Sequence, residues 1–254
     1  MADPRDRFDI TGRVALITGS SRGLGRAMAL GFAASGAKIA VVSRSLEASG
    51  AVVREIEGGG GQAIALAVDL ANTGEMPRLV DETVAAFGRL DIVINNAADA
   101  TLLMTEDLDE ATYDRVHAIN TKSPLFLSQA ALPHLAASGH GSIINIISVG
   151  AWNGGANMIL YRSTKQALIG VTMVTAKEWA SKGVRVNAIA PGTFETDMIG
   201  WMDDASRARA VAFTPQNRIA DPSELVPAAL YLASDASSFT TGEVLRVDGG
   251  MLSF

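Results

Sequence analysis

The chain has 254 residues, no cysteine and a formal net charge of -6. That length suits one large α/β domain, and 48% hydrophobic against 19% charged residues is typical of a chain that buries a core. Without cysteine, disulfides, thiolate metal sites and a cysteine nucleophile are excluded, and the acidic balance argues against nucleic-acid binding through overall charge.

The amino terminus and the hydrophobic runs bear on where the protein resides. The opening MADPRDRFD is too charged for the apolar core of a secretory signal. No apolar run approaches the ~18 residues of a membrane span. We therefore expect a soluble, cytoplasmic protein.

Short β-branched runs alternate with longer amphipathic segments along the chain. The predicted strands are Val14–Ile17, Lys38–Val42, Ala63–Val68, Ile92–Ile94, Ser142–Ile147, Val184–Ile189 and Val244–Val247. The predicted helices are Gly25–Ala34, Glu47–Glu57, Met76–Phe87, Asp109–Ala137, Leu160–Ser181 and Ser223–Ala233. This alternation predicts a single α/β domain over residues 1–254, with a Rossmann-like, doubly wound parallel sheet of about seven strands and helices on both faces.

A glycine-rich turn follows the first predicted strand. It reads Thr18-Gly19-Ser20-Ser21-Arg22-Gly23-Leu24-Gly25 and leads directly into a helix. Glycines permit a tight turn and close approach of a ligand, and free N–H groups at a helix N-terminus favour a pyrophosphate. The spacing TGxxxGxG differs from the GxGxxG of long-chain dinucleotide enzymes. The turn indicates a dinucleotide site, with a merely structural turn as the alternative.

The residues after the second and third strands bear on which dinucleotide is bound. An acidic residue after the second strand would select NAD, but this chain has Ser43 and Arg44 there. Arg44 and Arg22 can clamp a 2′-phosphate, so we predict NADP(H) in preference to NAD(H). The alternative is that both arginines are ordinary solvated charges that bind no phosphate. Asp69, beside Leu70, is predicted either to accept a hydrogen bond from adenine or to cap the following segment.

Tyr161 and Lys165 lie four residues apart in the run YRSTK and therefore on one face of a predicted helix. Carbonyl reduction needs a proton donor and alcohol oxidation needs a base, and a free tyrosine with a pKa near 10 suits neither at neutral pH. A lysine ammonium ~4 Å away is worth ~4 kcal/mol at an effective dielectric constant of ~20, which predicts a tyrosine pKa lowered by roughly three units. Ser148, after the fifth strand, can hold the substrate oxygen beside Tyr161.

Taken together, these motifs resemble the short-chain dehydrogenase/reductase family. TGSSRGLG, Asn95-Asn96-Ala97-Ala98, Ser148, YRSTK and Pro191-Gly192 before Thr196 occur in the family's order, and the match runs from Gly12 to Gly250. VRVNAIAPGTFETDM and the closing VDGG look most like the 3-oxoacyl-carrier-protein reductase group. The resemblance implies an oxidoreductase that transfers a hydride between a nicotinamide and a carbonyl or secondary alcohol.

The resemblance also implies roles for individual residues. Tyr161 matches the general acid/base, Lys165 the residue that binds the nicotinamide ribose, Ser148 the substrate-orienting hydroxyl and Asn120 the holder of a relay water. Asn96 is expected to steady the central strands and to contact the adenosine ribose side, and Thr196 to lie near the nicotinamide carboxamide. Together with the residues argued above, the expected cofactor contacts are Gly19, Ser21, Arg22, Gly23, Leu24, Gly25, Ser43, Arg44, Asp69, Leu70, Asn96, Ala97, Ala98, Tyr161, Lys165, Pro191, Gly192, Phe194 and Thr196.

Two details of this site follow from residue chemistry. Pro124 lacks the N–H that would bond the carbonyl of Asn120 in a helix, so it should free that carbonyl for the relay water and kink the helix. Ala98 stands where the family usually has glycine, and its methyl group either narrows the nicotinamide seat or has no effect.

Bulky apolar residues surround the expected substrate pocket. The segments between Ser148 and Tyr161 and after Gly192 contribute Trp152, Asn153, Met158, Phe194, Met198, Trp201 and Met202. Such a wall favours a hydrophobic ketone or a 3-oxoacyl thioester over a bare sugar, with lid packing or a subunit interface as the alternative. We expect residues 193–213 to form a mobile lid.

Two alternative functions accompany this interpretation. One is a sugar or polyol dehydrogenase of the same family. The other is a non-catalytic NADP(H)-sensing module, which should have lost Tyr161, Lys165 or Ser148, although all three are present. A basic patch for an acidic carrier protein has three candidates, which are equally well explained as solvated charges: Lys177, Lys182 and Arg185.

The expected partners are a small-molecule substrate and copies of the same chain, without nucleic acid, membrane or metal. His117, His134 and His140 lack metal-ligand spacing. The resemblance implies a homotetramer in which Asp109–Ala137 and Leu160–Ser181 pair across a two-fold axis. Four residues either form that apolar face or pack on the sheet: Ala167, Leu168, Val171 and Val174.

Overall fold

One parallel sheet organises the computed structural model, which describes residues 3–153 and 155–252. Its strands are β1 (Val14–Thr18), β2 (Lys38–Ser43), β3 (Gln62–Ala67), β4 (Ile92–Asn95), β5 (Ser142–Ile146), β6 (Arg185–Pro191) and β7 (Val244–Val247). They lie in the order 3-2-1-4-5-6-7, and every pair is parallel. The predicted doubly wound sheet is therefore confirmed.

Helices cover both faces of this sheet. They are α1 (Gly23–Ala34), α2 (Leu46–Gly58), α3 (Met76–Phe87), α4 (Glu110–His117), α5 (Ser123–Ser138), α6 (Ile159–Trp179), α7 (Asp204–Phe213) and α8 (Val226–Ala233). Along β1, Ala15 and Ile17 belong to the apolar cluster with α1 and α8, whereas Val14 and Leu16 belong to the one with α3 and α5. Successive side chains of a strand face opposite ways, so a strand between two helical layers is apolar throughout.

The long predicted helix Asp109–Ala137 is interrupted at its middle. A π-helical segment, Ala118–Lys122, separates α4 from α5 and is centred on Asn120. Pro124 sits in the first turn of α5, where a missing N–H does least harm. Pro124 predicted a kink at this place, where the structure has a π-helical segment. The kink itself and the partner of the Asn120 carbonyl stay predictions.

Two further boundaries differ from those predicted. The helix predicted to begin at Gly25 begins two residues earlier, so the last two glycines of the turn are helical. The predicted helix Ser223–Ala233 opens as a 3₁₀ turn, Pro222–Leu225, before α8. No helix in the described part of the chain is both long and apolar enough to cross a membrane.

The segment predicted as a lid contains α7, a helix that the apolar pattern did not reveal. None of its residues is buried, so it has no apolar face to signal its period. Its sequence signal is the cap: the Asp203 carboxylate accepts the Ser206 N–H at 2.8 Å. The Glu195 carboxylate pairs with both terminal nitrogens of Arg207 at 2.6 Å and ties α7 to the chain leaving β6.

The strand order reverses between β1 and β4, which makes the carboxyl ends of these two strands a switch point. Ligands of open α/β sheets bind in the crevice at such a point. The glycine turn leaves β1, Asn96 leaves β4, Ser148 follows β5, and Thr196 follows β6. The fold therefore gathers the predicted site residues along one edge of the sheet.

Candidate active site

The glycine turn presents an uncapped helix N-terminus at the switch point. Arg22 is the N-cap residue of α1; its backbone is extended, and its side chain makes no capping hydrogen bond. The first turn of α1 contains no acidic residue. A Cβ at Gly25 would lie 2.3 Å from the Gly19 carbonyl oxygen, so only glycine allows the turn to pack this closely. Free N–H groups and the helix dipole together suit a pyrophosphate.

Asn96 joins the end of β4 to the end of β1. Its side-chain amide donates to the carbonyls of Thr18 at 2.9 Å and Gly19 at 3.1 Å. The Thr18 hydroxyl in turn accepts the N–H groups of Asn96 and Ala97 at 3.0 and 3.1 Å. Asn96 therefore steadies the central strands, and its contact with the adenosine ribose stays a prediction.

Asn96→Ala is expected to lower the free energy of unfolding by about 1–3 kcal/mol, because two carbonyls of the glycine turn lose their donor. Urea denaturation would measure the change. Asn153→Ala removes the same amide from an exposed position and should stay within about 0.5 kcal/mol of the parent. Equal stability of the two variants would contradict a stabilising role for Asn96.

The residues predicted to select NADP(H) lie at the open end of this crevice. Ser43 donates to the Ser45 carbonyl at 2.9 Å, and Arg44 is exposed. The Arg22 guanidinium is also mostly exposed and lies 3.6 Å from the Asp197 carboxylate of the lid segment. Arg44 therefore directly follows β2, where no carboxylate occupies the position of an NAD-selecting acid. The joint contact of Arg22 and Arg44 with a 2′-phosphate stays a prediction.

Asp69 caps the segment after β3, as one of its two predicted roles required. Its carboxylate accepts the Ala71 N–H at 3.0 Å, while Leu70 is buried. The side chain is exposed, so its second oxygen is accessible to an adenine amino group. That contact stays a prediction.

The chain leaving β6 crosses close to the glycine turn. The N–H of Gly192, after Pro191, donates to the Val247 carbonyl at 2.9 Å. A Cβ at Gly23 would lie 3.4 Å from the Thr196 side chain, which places Thr196 against the turn. Phe194 lies in the core beneath α1 and is 4% exposed. The core takes up most of the Phe194 ring, and its place in the substrate pocket stays a prediction.

Ser148 and Tyr161 form one hydrogen-bonded pair. Ser148 follows β5, its hydroxyl accepts the Gly150 N–H at 3.0 Å, and it makes a side-chain hydrogen bond with Tyr161. Tyr161 is half-buried in the first turn of α6. A Cβ at Gly150 would lie 3.2 Å from the serine oxygen and 3.5 Å from the tyrosine ring, so both side chains converge on this backbone.

Lys165 lies beside this pair in a dehydrated position. The residue is 2% exposed, and its ammonium donates to the Ile146 carbonyl at 2.7 Å. The ammonium is 5.6 Å from the centroid of the Tyr161 ring. Burial lowers the pKa of Lys165 to about 8.

The tyrosine pKa differs from the value expected from the sequence. Burial raises the pKa of Tyr161, and the hydrogen bond from Ser148 opposes that shift. The predicted lowering by Lys165 is therefore wrong for this structure. The physical reason is that dehydration disfavours the phenolate. One N–H of the Lys165 ammonium donates to the Ile146 carbonyl.

Asn120 connects three parts of the site through its side chain. Its oxygen accepts the Asp99 N–H at 2.7 Å, and its nitrogen donates to the Asp99 carbonyl at 2.9 Å and to the Thr164 hydroxyl at 3.1 Å. Thr164 immediately precedes Lys165 on α6. The buried amide therefore fixes the chain after β4 against the helix that carries Tyr161.

Asp99 has a second role that the motifs did not reveal. Its carboxylate accepts the Thr101 N–H at 2.9 Å and forms an ion pair with Arg115 of α4. Leu103, further along the same loop, donates its N–H to the Asn157 carbonyl at 3.0 Å. The loop after β4 is thus held against the loop before α6.

Among the predicted substrate residues, Met158 lies close to the Ser148–Tyr161 pair: its terminal methyl carbon is 3.5 Å from a Cβ built on Gly150. The Trp152 carbonyl accepts from Arg162 at 3.0 Å. Asn153 is exposed, Met202 is half-buried, and Met198 and Trp201 are 47% and 64% exposed. The apolar wall is therefore incomplete in this structure.

The apolar residues of α6 divide between the two predicted alternatives. Leu168 is 1% exposed and packs on the sheet with Val171, whereas Ala167 and Val174 are exposed. Met173 lies beside Val174 on the same exposed face. In the part of the chain that the structure describes, no three acidic or histidine side chains converge as metal ligands do.

The chain is similar to known proteins along nearly its whole length. A family model described as enoyl-(acyl carrier protein) reductase matches residues 19–252. A 3-oxoacyl-[acyl-carrier-protein] reductase of Synechocystis is 38% identical over 249 residues, which cover 96% of this chain and 99% of that protein. A 2-dehydro-3-deoxy-D-gluconate 5-dehydrogenase of Escherichia coli is 37% identical over 251 residues, with 96% and 97% covered.

Solved structures are also similar to the chain along nearly its whole length. A gluconate 5-dehydrogenase from Burkholderia cenocepacia, in complex with NADP and tartrate, superposes with a TM-score of 0.93 at 35% identity, with 98% of each chain covered. A 7α-hydroxysteroid dehydrogenase, complexed with NADH and a 7-oxo bile acid, superposes with a TM-score of 0.94 at 33% identity, again with 98% of each chain covered. These relatives share the fold and differ in nucleotide and substrate.

Proposed function

The chain belongs to the short-chain dehydrogenase/reductase family of NAD(P)-dependent oxidoreductases that act on CH–OH groups, and from that premise we propose that it is an NADP(H)-dependent reductase of a hydrophobic ketone or 3-oxoacyl thioester. The observation that carries the proposal is the Ser148–Tyr161 hydrogen bond beside the buried Lys165 ammonium. The three groups lie at the sheet edge where the glycine turn offers a nucleotide site.

Side chains of the protein donate and accept the proton of this reaction. The bound nicotinamide supplies the hydride in reduction and accepts it in oxidation. Tyr161 donates its hydroxyl proton to the substrate oxygen during reduction and takes it back during oxidation. Ser148 holds the same oxygen through its hydroxyl. The main-chain carbonyl of Asn120 holds the water that passes protons toward Lys165.

Lys165 supplies a positive charge beside the tyrosine. With a pKa of about 8, the side chain is mostly protonated at neutral pH and can still exchange its proton. Its ammonium also reaches toward the nicotinamide ribose in the proposed complex. The Ile146 carbonyl holds it in place before the nucleotide binds.

The nucleotide fits the groups that this edge offers. The uncapped N-terminus of α1 and the glycines of the turn suit the pyrophosphate, and Arg22 and Arg44 suit a 2′-phosphate. The other proposed contacts line the same edge: Ser21, Leu24, Ser43, Asp69, Leu70, Asn96, Ala97, Ala98, Pro191, Gly192, Phe194 and Thr196. For Phe194 the proposed contact is its backbone.

Arg44→Ser is expected to weaken NADPH binding by about 10- to 150-fold, because a charge-assisted hydrogen bond to the 2′-phosphate is lost. NADH lacks that phosphate, so its dissociation constant should stay within about twofold. Titration of both nucleotides by fluorescence or calorimetry measures the ratio. Arg54→Ser removes the same charge from the exposed face of α2 and is the matched control. Equal losses for the two nucleotides would contradict the assignment of NADP(H).

A sugar or polyol dehydrogenase is the second candidate. It is favoured by the near-equal identities to the E. coli gluconate-type enzyme and to the Synechocystis reductase. The incomplete apolar wall around Met158 also leaves room for a polar substrate. A panel should pair NADPH with 3-oxoacyl thioesters and aromatic ketones, and NADP⁺ with sugar acids and polyols.

The panel and the nucleotide titrations together separate four outcomes. Turnover of the thioesters or ketones supports the first proposal, and turnover confined to sugars or polyols replaces it with the second. Tight nucleotide binding without turnover of either class would favour a sensing module. Failure to bind either nucleotide would overturn the proposal as a whole.

A cytoplasmic homotetramer with a mobile lid over residues 193–213 completes the proposal. The exposed apolar side chains of Met173 and Val174 on α6 support burial against another copy. Light scattering of the purified protein tests the oligomeric state, and cell fractionation tests the location.

A further inference from the structure

Asp197 of the lid segment forms an ion pair with Arg22, one of the two arginines proposed to bind the 2′-phosphate of the cofactor. Asp197 lies 3.6 Å from the guanidinium of Arg22, and both side chains are mostly exposed, at 68% and 72%. Arg22 makes no capping bond to α1, so the orientation of its guanidinium is not fixed by the helix. In this structure a carboxylate therefore lies where a phosphate group is proposed to bind.

The backbone holds Asp197 at this position. The preceding Thr196 stands against Gly23 of the glycine turn, as described above. Glu195 is fixed twice, through its N–H to the Ala220 carbonyl at 2.9 Å and through its carboxylate to Arg207. The carboxylate of Asp197 is thus presented to Arg22 by a segment whose two preceding residues are anchored.

We propose that Asp197 is a cofactor-selectivity residue, which competes with the 2′-phosphate of NADP(H) for the Arg22 guanidinium. The inference rests on the proposed function, because it needs a nucleotide at the glycine turn. The phosphate must displace the carboxylate or share the guanidinium with it, and two anions on one cation repel each other. NAD(H) has no 2′-phosphate and meets no such competition, so Asp197 reduces the preference for NADP(H).

The expected effect is modest because the pair is exposed. Exposed ion pairs contribute little, so Asp197→Asn should tighten NADPH binding by about two- to fivefold. NADH binding should stay within about 1.5-fold of the parent, since its ribose hydroxyls do not require Arg22. The gain should shrink as salt rises from 0.05 M to 1 M, because salt screens exposed charges.

The experiment is a set of nucleotide titrations on the full chain. Asp197→Asn is compared with the parent, with Arg22→Gln and with the double variant, and circular dichroism confirms that each is folded. Asp204→Asn removes an equal charge from the first turn of α7 and controls for the general field of the lid. The proposal expects tighter NADPH binding from Asp197→Asn alone, and no further gain when Arg22 is already glutamine.

The outcomes that overturn the inference differ from those that overturn the proposed function. The inference fails if Asp197→Asn changes NADPH and NADH binding equally, if Asp204→Asn has the same effect, or if the gain persists in the Arg22→Gln background. If the parent protein binds neither nucleotide, the proposed function itself fails.

Discussion

Tyr161→Phe is expected to lower kcat by about 10²- to 10⁴-fold, the usual contribution of a positioned general acid or base. The change removes one oxygen atom, so the Ser148 hydroxyl loses its partner and the substrate oxygen loses its proton donor. The ring stays in the first turn of α6, and the glycine turn is untouched. The dissociation constant of NADPH should therefore remain within about threefold of the parent.

Steady-state kinetics with the best substrate of the panel, together with an NADPH titration, measure both quantities. Tyr231→Phe removes the same atom from α8, where the hydroxyl bonds Thr240 at 2.9 Å, and it should leave kcat unchanged. A Tyr161→Phe variant that retained more than a tenth of the parent turnover would remove the tyrosine from the proton-transfer step. A loss of NADPH binding equal to the loss of kcat would mean that the substitution acts on the nucleotide site instead.

The sheet could be predicted because its sequence signal is local. β1 and β5 are short apolar runs bounded by polar or glycine residues, and a strand between two helical layers has that composition. Strand–helix alternation then predicted parallel strands, and the right-handed crossovers favoured the doubly wound sheet. Pro124 cannot supply the helical N–H and so predicted a disturbance of the helix at Asn120, but the π-helical form of that segment was not predicted.

The candidate site could be predicted only where a residue acts through its own chemistry. Ser148, Tyr161 and Lys165 were found because hydroxyl, phenol and ammonium groups at these spacings suit proton transfer. The partners that hold them were missed: the Ile146 carbonyl accepts a hydrogen bond from the Lys165 ammonium, and the Asp99 backbone holds Asn120. A backbone group is common to every residue, so no sequence pattern distinguishes the one that a buried side chain will contact.

The residues that line the substrate pocket are a second part of the site that the sequence could not predict. Phe194 and Met198 are both apolar residues shortly after β6, and composition alone treats them alike. The structure buries Phe194 under α1 and leaves Met198 47% exposed. Core packing and a ligand wall both require apolar side chains, so the distinction depends on how the chain turns after Gly192.

The buried lysine makes stability depend on pH in a predictable direction. The folded-state pKa of Lys165 is about 8, whereas its ordinary value is 10.5. Below pH 8 the side chain is protonated in both states, and it contributes no slope. Between these two values the unfolded chain binds more protons than the folded protein, so the free energy of unfolding rises with pH.

Lys165→Met is expected to remove this rise, which amounts to about 3 kcal/mol over the full window and about 2 kcal/mol between pH 8 and 9.5. Urea denaturation of parent and variant at pH 7, 8, 9 and 9.5 gives the difference, and the limit of 9.5 avoids tyrosine ionisation. Lys177→Met, at an exposed position of the same helix, should leave the parent's slope unchanged. Parallel curves for the parent and Lys165→Met would show that the ammonium is not dehydrated as the structure indicates. If the two curves of unfolding free energy converge as the pH rises, the parent is destabilised at neutral pH by its dehydrated Lys165 cation. That cation lies beside Tyr161 and is the charge that the proposed proton transfer uses.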